Sequence, residues 1–269
     1  GTITKSAVAT GADLVGYGPF STSNYLEQPH NSDLLLGSGD FCITGWVNNT
    51  SNSASTYEDI ITFGNLGTAG YASMEAGSWF IQMNKTHGFV LYYKTNAGPY
   101  DSGWTNHPSS FQTPSLNGLG IWYKITLVRR GSRLYTYTND NFIGSRGIVG
   151  SFTTTSNLND MKLHIGYEGG NSYGPYVGQH TKMALWKISK SAPSEEQIKK
   201  MYEDERWLFQ ENAKATLYGS SDAVTGLAFD DTTNLLHVGT SAGRSEFRGL
   251  SRINNTTDAV TTAISASNG

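Results

Sequence analysis

The sequence predicts an all-β protein: two antiparallel sheets packed as a sandwich, followed by one short α-helix and a small β-meander. Three observations carry this reading. Residues 121–144 alternate with a period of two, use β-branched and aromatic side chains, and are broken by a glycine-containing turn, which is the pattern of paired antiparallel strands. There are 31 glycines and 15 tyrosines while only 15% of residues are charged, which favours short strands joined by turns over long solvent-facing helices. At 269 residues the chain has room for one large sandwich and an appendage.

Taken in order, residues 1–9 show no periodicity, and short strands around Leu14-Val15 and Tyr25-Leu26 then alternate with Gly, Pro and Asn punctuation. Residues 40–48 form the first long strand, with Phe41, Ile43, Gly45 and Val47 on one face and Cys42, Thr44 and Trp46 on the other. Neither face is charged, as expected for a strand in the middle of a two-layer sandwich. A polar loop precedes strands at 59–63, 79–83 and 88–94. Residues 95–120 then run without regular pattern and hold Tyr100, Trp104 and His107. Loops longer than about 12 to 15 residues in a compact domain are usually functional or mobile.

In the central hairpin, Trp122, Lys124, Thr126 and Val128 interleave with Tyr123, Ile125 and Leu127; Gly131 turns the chain and 134–138 return it. Asn139-Asp140-Asn141 turns it again, since Asn and Asp tolerate positive φ. Strands at 150–155 and 161–167 lead into a second glycine-rich loop, 168–179, with Tyr173 and Tyr176. Ser194 and Gln197 make a capping box, and Glu195-Glu196 suit a helix N-terminus, so a helix is expected to run to near Gln210. Segments 216–218, 224–229, 235–240 and 244–253 read as a four-stranded meander. The domains are therefore a sandwich over 1–205 and a β-appendage over 206–269 serving attachment or oligomerisation, since so small a sheet needs a partner for its second face.

Several of these pieces, in this order, resemble one family. Trp122-Tyr123-Lys124-Ile125-x-Leu127-Val128-Arg129-x-Gly131 with the returning strand is similar to the central hairpin of laminin G-like, concanavalin A-like jelly rolls. Residues 40–47 resemble that family's early core strand, while 162–166, 183–188 and 194–198 resemble its closing strands and terminal helix. Two departures stand out: the usual Asp/Asn-Gly turn is Asp140-Asn141, and the acidic pair before the last strand is replaced by Thr181-Lys182. The opening Phe20-Ser21-x-Ser23-Asn24-Tyr25-Leu26 resembles the start of jelly-roll modules in tail proteins of bacterial viruses. The resemblance implies a lectin-like fold that often holds calcium at its rim; Asp101, Asn106, Asp140 and Asn141 are candidate oxygen ligands, with plain turn chemistry as the alternative.

A formal charge of -3 without a basic run excludes an electrostatic footprint for nucleic acid. No apolar run approaches the roughly 18 to 20 residues of a bilayer-spanning helix, so no membrane insertion is expected. Cys42 is the single cysteine and cannot form an internal disulfide. A chain opening Gly1-Thr2-Ile3, with Met74 as its first methionine, is expected to be a processed product or a piece of something longer.

Glycan hydrolysis needs two facing carboxylates, and the dense acidic run Glu203-Asp204-Glu205 falls on the predicted helix, where it reads as a solvated face. A lyase arrangement would draw on Arg129, Gln82, Tyr93 and His164, which are of suitable types, but nothing in their spacing shows that they meet. The chain is therefore read as non-enzymatic. Tyr100, Trp104, His107, Tyr173 and Tyr176 sit on polar loops and offer flat apolar faces beside hydrogen-bonding groups. A shallow sugar site requires that mixture, although aromatics also pin long loops. The expected function is a glycan-binding adhesion module of a bacteriophage tail fibre or other virion protein, extracellular, recognising host cell-surface carbohydrate. Its expected partners are other tail proteins and copies of itself as a trimer. A polysaccharide-degrading enzyme and a purely structural virion component are the alternatives.

Overall fold

A computed structural model describes residues 3–50, 57–65, 74–84, 88–97, 101–102, 120–154, 158, 161–167, 177–214, 217 and 223–260. The chain forms two compact units, Gly1–Lys5 with Tyr17–Tyr202 and Ser6–Gly16 with Glu203–Gly269. The second unit thus takes residues 6–16, which the sequence reading had placed in a sandwich over 1–205. Main-chain bonds are the reason: Asp13 N donates to Ala213 O and Asn212 N to Thr10 O.

The strands, in chain order, are β1 (Lys5–Ala7), β2 (Val15–Tyr17), β3 (Leu26–Gln28), β4 (Phe41–Asn49), β5 (Tyr57–Phe63), β6 (Trp79–Asn84) and β7 (Gly88–Tyr93). They continue as β8 (Asp101–Ser102), β9 (Trp122–Arg130), β10 (Arg133–Thr138), β11 (Asn141–Gly147), β12 (Leu163–Ile165) and β13 (Thr181–Ser189). A seven-stranded sheet has the order β1-β2-β13-β4-β9-β10-β11, and a six-stranded sheet the order β3-β12-β5-β6-β7-β8. The expected antiparallel two-sheet sandwich is the fold.

Alternation sets what each face buries. Phe41, Ile43, Val47, Ile125, Leu127 and Leu134 of the first sheet meet Ile61, Phe63, Trp79, Ile81, Met83 and Tyr93 of the second in one core. Gly45 keeps the same face but leaves space for an indole: a Cβ there would lie 2.3 Å from the Trp186 ring. Trp186 reaches that spot through a register shift in β13, with Leu185 at a φ of 53°. The buried Glu58 on β5 ties the two sheets, accepting from Thr181 Oγ1 and from His180 N on the other sheet's side. Thr181 is one of the two residues that replace the resembled family's acidic pair. Burial pushes the Glu58 carboxyl up, and the two donors oppose that.

The outer face of the seven-stranded sheet is covered by helix α1 (Glu195–Arg206). Its capping box forms as read: Gln197 N donates to Ser194 Oγ at 3.2 Å, and Ser194 N to Gln197 Oε1 at 2.8 Å. Ile198 enters a cluster with Cys42, Val128 and Tyr137, and Tyr202 stacks on Trp46 at 5.7 Å. The same burial pushes the Cys42 thiol up to about 12, so it stays a protonated filler. The helix ends at Arg206 and tightens into a 3-10 turn over Trp207–Phe209, slightly short of the expected Gln210. In the described part of the expected strand at 150–155, residues 150–154, one bridge forms, Gly37↔Phe152, because Phe152 turns into the core against Phe41.

The second unit holds the meander, with strands β14 (Val224–Asp230), β15 (Leu235–Thr240), β16 (Gly243–Arg248) and β17 (Ser251–Thr256) in sequential order. The expected strand at 216–218 lies largely outside the described residues. The expected single strand at 244–253 is two, divided at Gly249, whose φ of 60° admits the reversal. Replacing the fully buried Ile198 by alanine removes a side chain that no solvent can refill. Ile198→Ala is expected to lower stability by about 2 to 5 kcal/mol in urea unfolding.

Candidate functional site

The six-stranded sheet has a second, outer face, and cross-strand register determines what it displays. Leu163 and Ile165 of β12 pack on the core, so His164 between them projects to the other side. His164 stands opposite Glu27 on β3 and opposite Thr62 on β5. The same row continues through Phe80 to Tyr92. Phe80 and Tyr92 stack with ring centroids 4.5 Å apart and planes 2° from parallel, and Met74 and Val90 pack with them. In the next row Gln82 Nε2 donates to Asp59 Oδ1 at 2.8 Å, both residues being buried.

Toward the β3 edge this face turns polar and opens to solvent. Glu27 accepts from Lys162 Nζ at 3.0 Å and lies 3.1 Å from His164 Nε2. A carboxylate only accepts, so Nε2 carries the proton of the neutral ring. Nδ1 is buried and has no hydrogen-bond partner among the described residues. Tyr25 and Tyr167 stack at 4.4 Å, and His164 meets both edge-on, at 5.6 and 5.7 Å. Thr62 Oγ1 holds the Tyr167 carbonyl at 3.0 Å. The Lys162 ammonium, reinforced by His164, holds the Glu27 carboxyl below its usual range. Burial pushes the His164 imidazolium down, with Glu27 opposing it.

Two half-buried phenol rings beside a carboxylate, an ammonium and a neutral imidazole form a surface that can stack an apolar ring face and hydrogen-bond its edge. A second described carboxylate on this face, Asp59, lies two strands from Glu27 and is displaced along the sheet.

No protein-family model matches the chain, and no curated protein matches it. Solved structures do. The binding domain of Paraclostridial Mosquitocidal Protein 1 superposes with a TM-score of 0.56 at 14% identity, over 96% of this chain and 61% of that one. The two share a fold. The binding domain of Botulinum neurotoxin DC, solved with rat synaptotagmin II, gives 0.49 at 11% identity, over 96% and 57%. Domain 4 of the extracellular arabinanase AbnA from Geobacillus stearothermophilus, solved with arabinotriose, gives 0.49 at 14%, over 75% and 82%. This chain thus spans about three fifths of the two toxin structures.

Of the residues expected from sequence, Tyr100, Trp104, His107, Tyr173, Tyr176 and Asn106 lie outside the described residues. Asp101 begins β8 opposite Tyr93, at one edge of the six-stranded sheet. Asp140 and Asn141 stand at the β10–β11 turn of the other sheet, where Asn141 Nδ2 donates to Asp140 Oδ1 at 3.4 Å. Asp101 and the Asp140-Asn141 pair therefore belong to different sheets. Among the described residues no group of three or more His, Cys, Asp or Glu side chains gathers.

The lyase set divides. Gln82 and His164 share the outer face, whereas Tyr93 and Arg129 turn inward around Phe152, at 5.6 and 5.9 Å. The acidic run lies on the last turn of α1, Glu203 pairing with Arg206 at 2.8 Å. Sequence reading missed Tyr25, Glu27, Lys162 and Tyr167 as a group. The available signal was a single polar residue, His164, between the two apolar residues of β12.

The buried His164 gives a pH test. The unfolded chain takes up a proton near pH 6.5, which the folded ring refuses until lower pH, so stability is full above 6.5 and falls as acid is added. An NMR titration of His164 is expected to show its midpoint below 6.5. In urea unfolding, His164→Gln is expected to remove that part of the acid sensitivity.

Proposed function

We propose that this chain is a non-enzymatic binding module that recognises a cell-surface glycan. The carrying observation is the stacked Tyr25–Tyr167 pair edged by Glu27, Lys162 and His164. Sugars present apolar C–H faces rimmed by hydroxyls, and this surface offers the complement of both. The fold it shares with the mosquitocidal protein's binding domain supports a binding role.

The module works, in this reading, outside the cell as part of a bacteriophage tail fibre or related virion protein, with other tail proteins and copies of itself as partners. The opening residues' resemblance to phage tail modules supports that setting. Tyr100, Trp104, His107, Tyr173 and Tyr176, read from the sequence as sugar contacts, remain part of this proposal.

A glycan array followed by host-cell binding tests the reading. Tyr25→Ala is expected to weaken binding of the recognised glycan at least tenfold, about 1.4 kcal/mol. Trp104→Ala is expected to weaken it as well if the loops share the contact. Binding to no glycan would leave the scaffold reading, and release of reducing or unsaturated ends from a polysaccharide would establish the enzyme.

A further inference from the structure

The four-stranded sheet of the second unit has two unlike faces. Register puts Leu227 beside Val238 and Phe229 beside Leu236, and Leu236 beside Phe247, so one face is apolar across three strands. The other face carries Ala228, His237 and Glu246, the last held by Arg244 at 2.7 Å. On the apolar face Val238 and Phe247 are buried, whereas Leu227 on β14 is 67% exposed and Phe229 59%. The opposite edge is closed: Ala213 bridges to Ser251, Lys214 N donates to Leu250 O and Arg252 N to Asn212 O. The outer edge of β14 has no main-chain partner among the described residues.

Natural sheet edges are guarded by lysine, proline, inward charges or β-bulges. β14 has one such guard, a register shift between Val224 and Gly226, and residues 227–229 beyond it hold no lysine, proline or charge. The strand's single charge, Asp230, is turned into its own loop, accepting from Thr232 N at 2.9 Å and Thr233 Oγ1 at 2.6 Å. A surface without charge can meet its own copy without like-charge repulsion. Antiparallel pairing centred on Ala228 sets Leu227 against the partner's Phe229 and Asp230 against the partner's Gly226. Leu227 and Phe229 thereby find apolar neighbours, and the two acids stand apart.

We infer that β14, through Leu227 and Phe229, is the surface on which a second copy of this chain docks. This rests on the self-association proposed above and names its site. The test is light scattering with size exclusion on the full chain over a range of concentrations. The expected mass is twice 29.2 kDa, since pairing about Ala228 closes at two copies, and it falls to a single copy in the double variant Leu227→Lys, Phe229→Lys. Both side chains are exposed, so circular dichroism and glycan binding per chain are expected to be unchanged in the variant. Phe229→Leu, which keeps the surface apolar, is expected to preserve assembly. A single-copy mass for the unaltered chain at every concentration overturns both the docking surface and the self-association. A multimer that the double variant leaves intact overturns the surface alone.

Discussion

Strand β4 imposes the constraint on which the sandwich depends, because every residue from Phe41 to Asn49 is buried. A strand buried on both faces needs cover on both, and a second sheet supplies only one. Phe41, Ile43 and Val47 are covered by the six-stranded sheet, while Cys42 and Trp46 are covered by α1. The polar residues caught beneath the helix find partners locally: Thr44 Oγ1 lies 2.8 Å from Thr126 Oγ1 and 2.9 Å from Ile125 O. The helix start is fastened to the hairpin, with Arg130 donating to Pro193 O and Tyr137 Oη to Glu195 Oε1 at 3.2 Å. Helix and hairpin are thus one packing problem, which is why a capping box so far along the chain belongs to the sandwich.

The two sheets consequently present unlike outer surfaces. One is occupied by α1 and its aromatic stack. The other keeps charged groups at its rim, where Glu27 remains partly exposed and ion-paired. A buried row that ends in an exposed carboxylate provides a rigid floor for a shallow site. The backbone beneath it is fixed by two strand pairings, so side-chain positions are set before any ligand arrives.

Much of the fold was legible in the sequence because its strongest elements state their environment locally. The alternation in 41–47 and 122–128 named both faces correctly, and Asn139, at a φ of 58°, supplies the left-handed residue that the Asn-rich turn foretold. Illegible were features fixed by partners remote in sequence. Gly249 divides a run that has no break in polarity, so β16 and β17 read as one strand. Phe152 reads as a strand residue and becomes a core plug only because Phe41 and Tyr93 leave room for it. The site fails to read for the same reason. Glu27 and His164 are separated by 137 positions, and nothing local to either announces the other. Register alone, through β12 lying between β3 and β5, brings them together.

The two surfaces demand different chemistry from their partners, and this bears on how a binding module of this kind gains strength. Stacked tyrosines with an ion pair make few, directional contacts, and a shallow sugar site of that size binds weakly by itself. An uncharged strand edge offers ordered main-chain bonds and contiguous apolar area, which suits a permanent contact with a like surface. In the proposed function, joining copies through the second surface places several of the first on one particle. Effective concentration then raises overall affinity by about 10²- to 10⁴-fold without a new contact to sugar, provided the geometry lets the copies engage together. Weak single sites and a self-complementary edge are, in that proposal, two parts of one physical solution to holding a repetitive glycan surface.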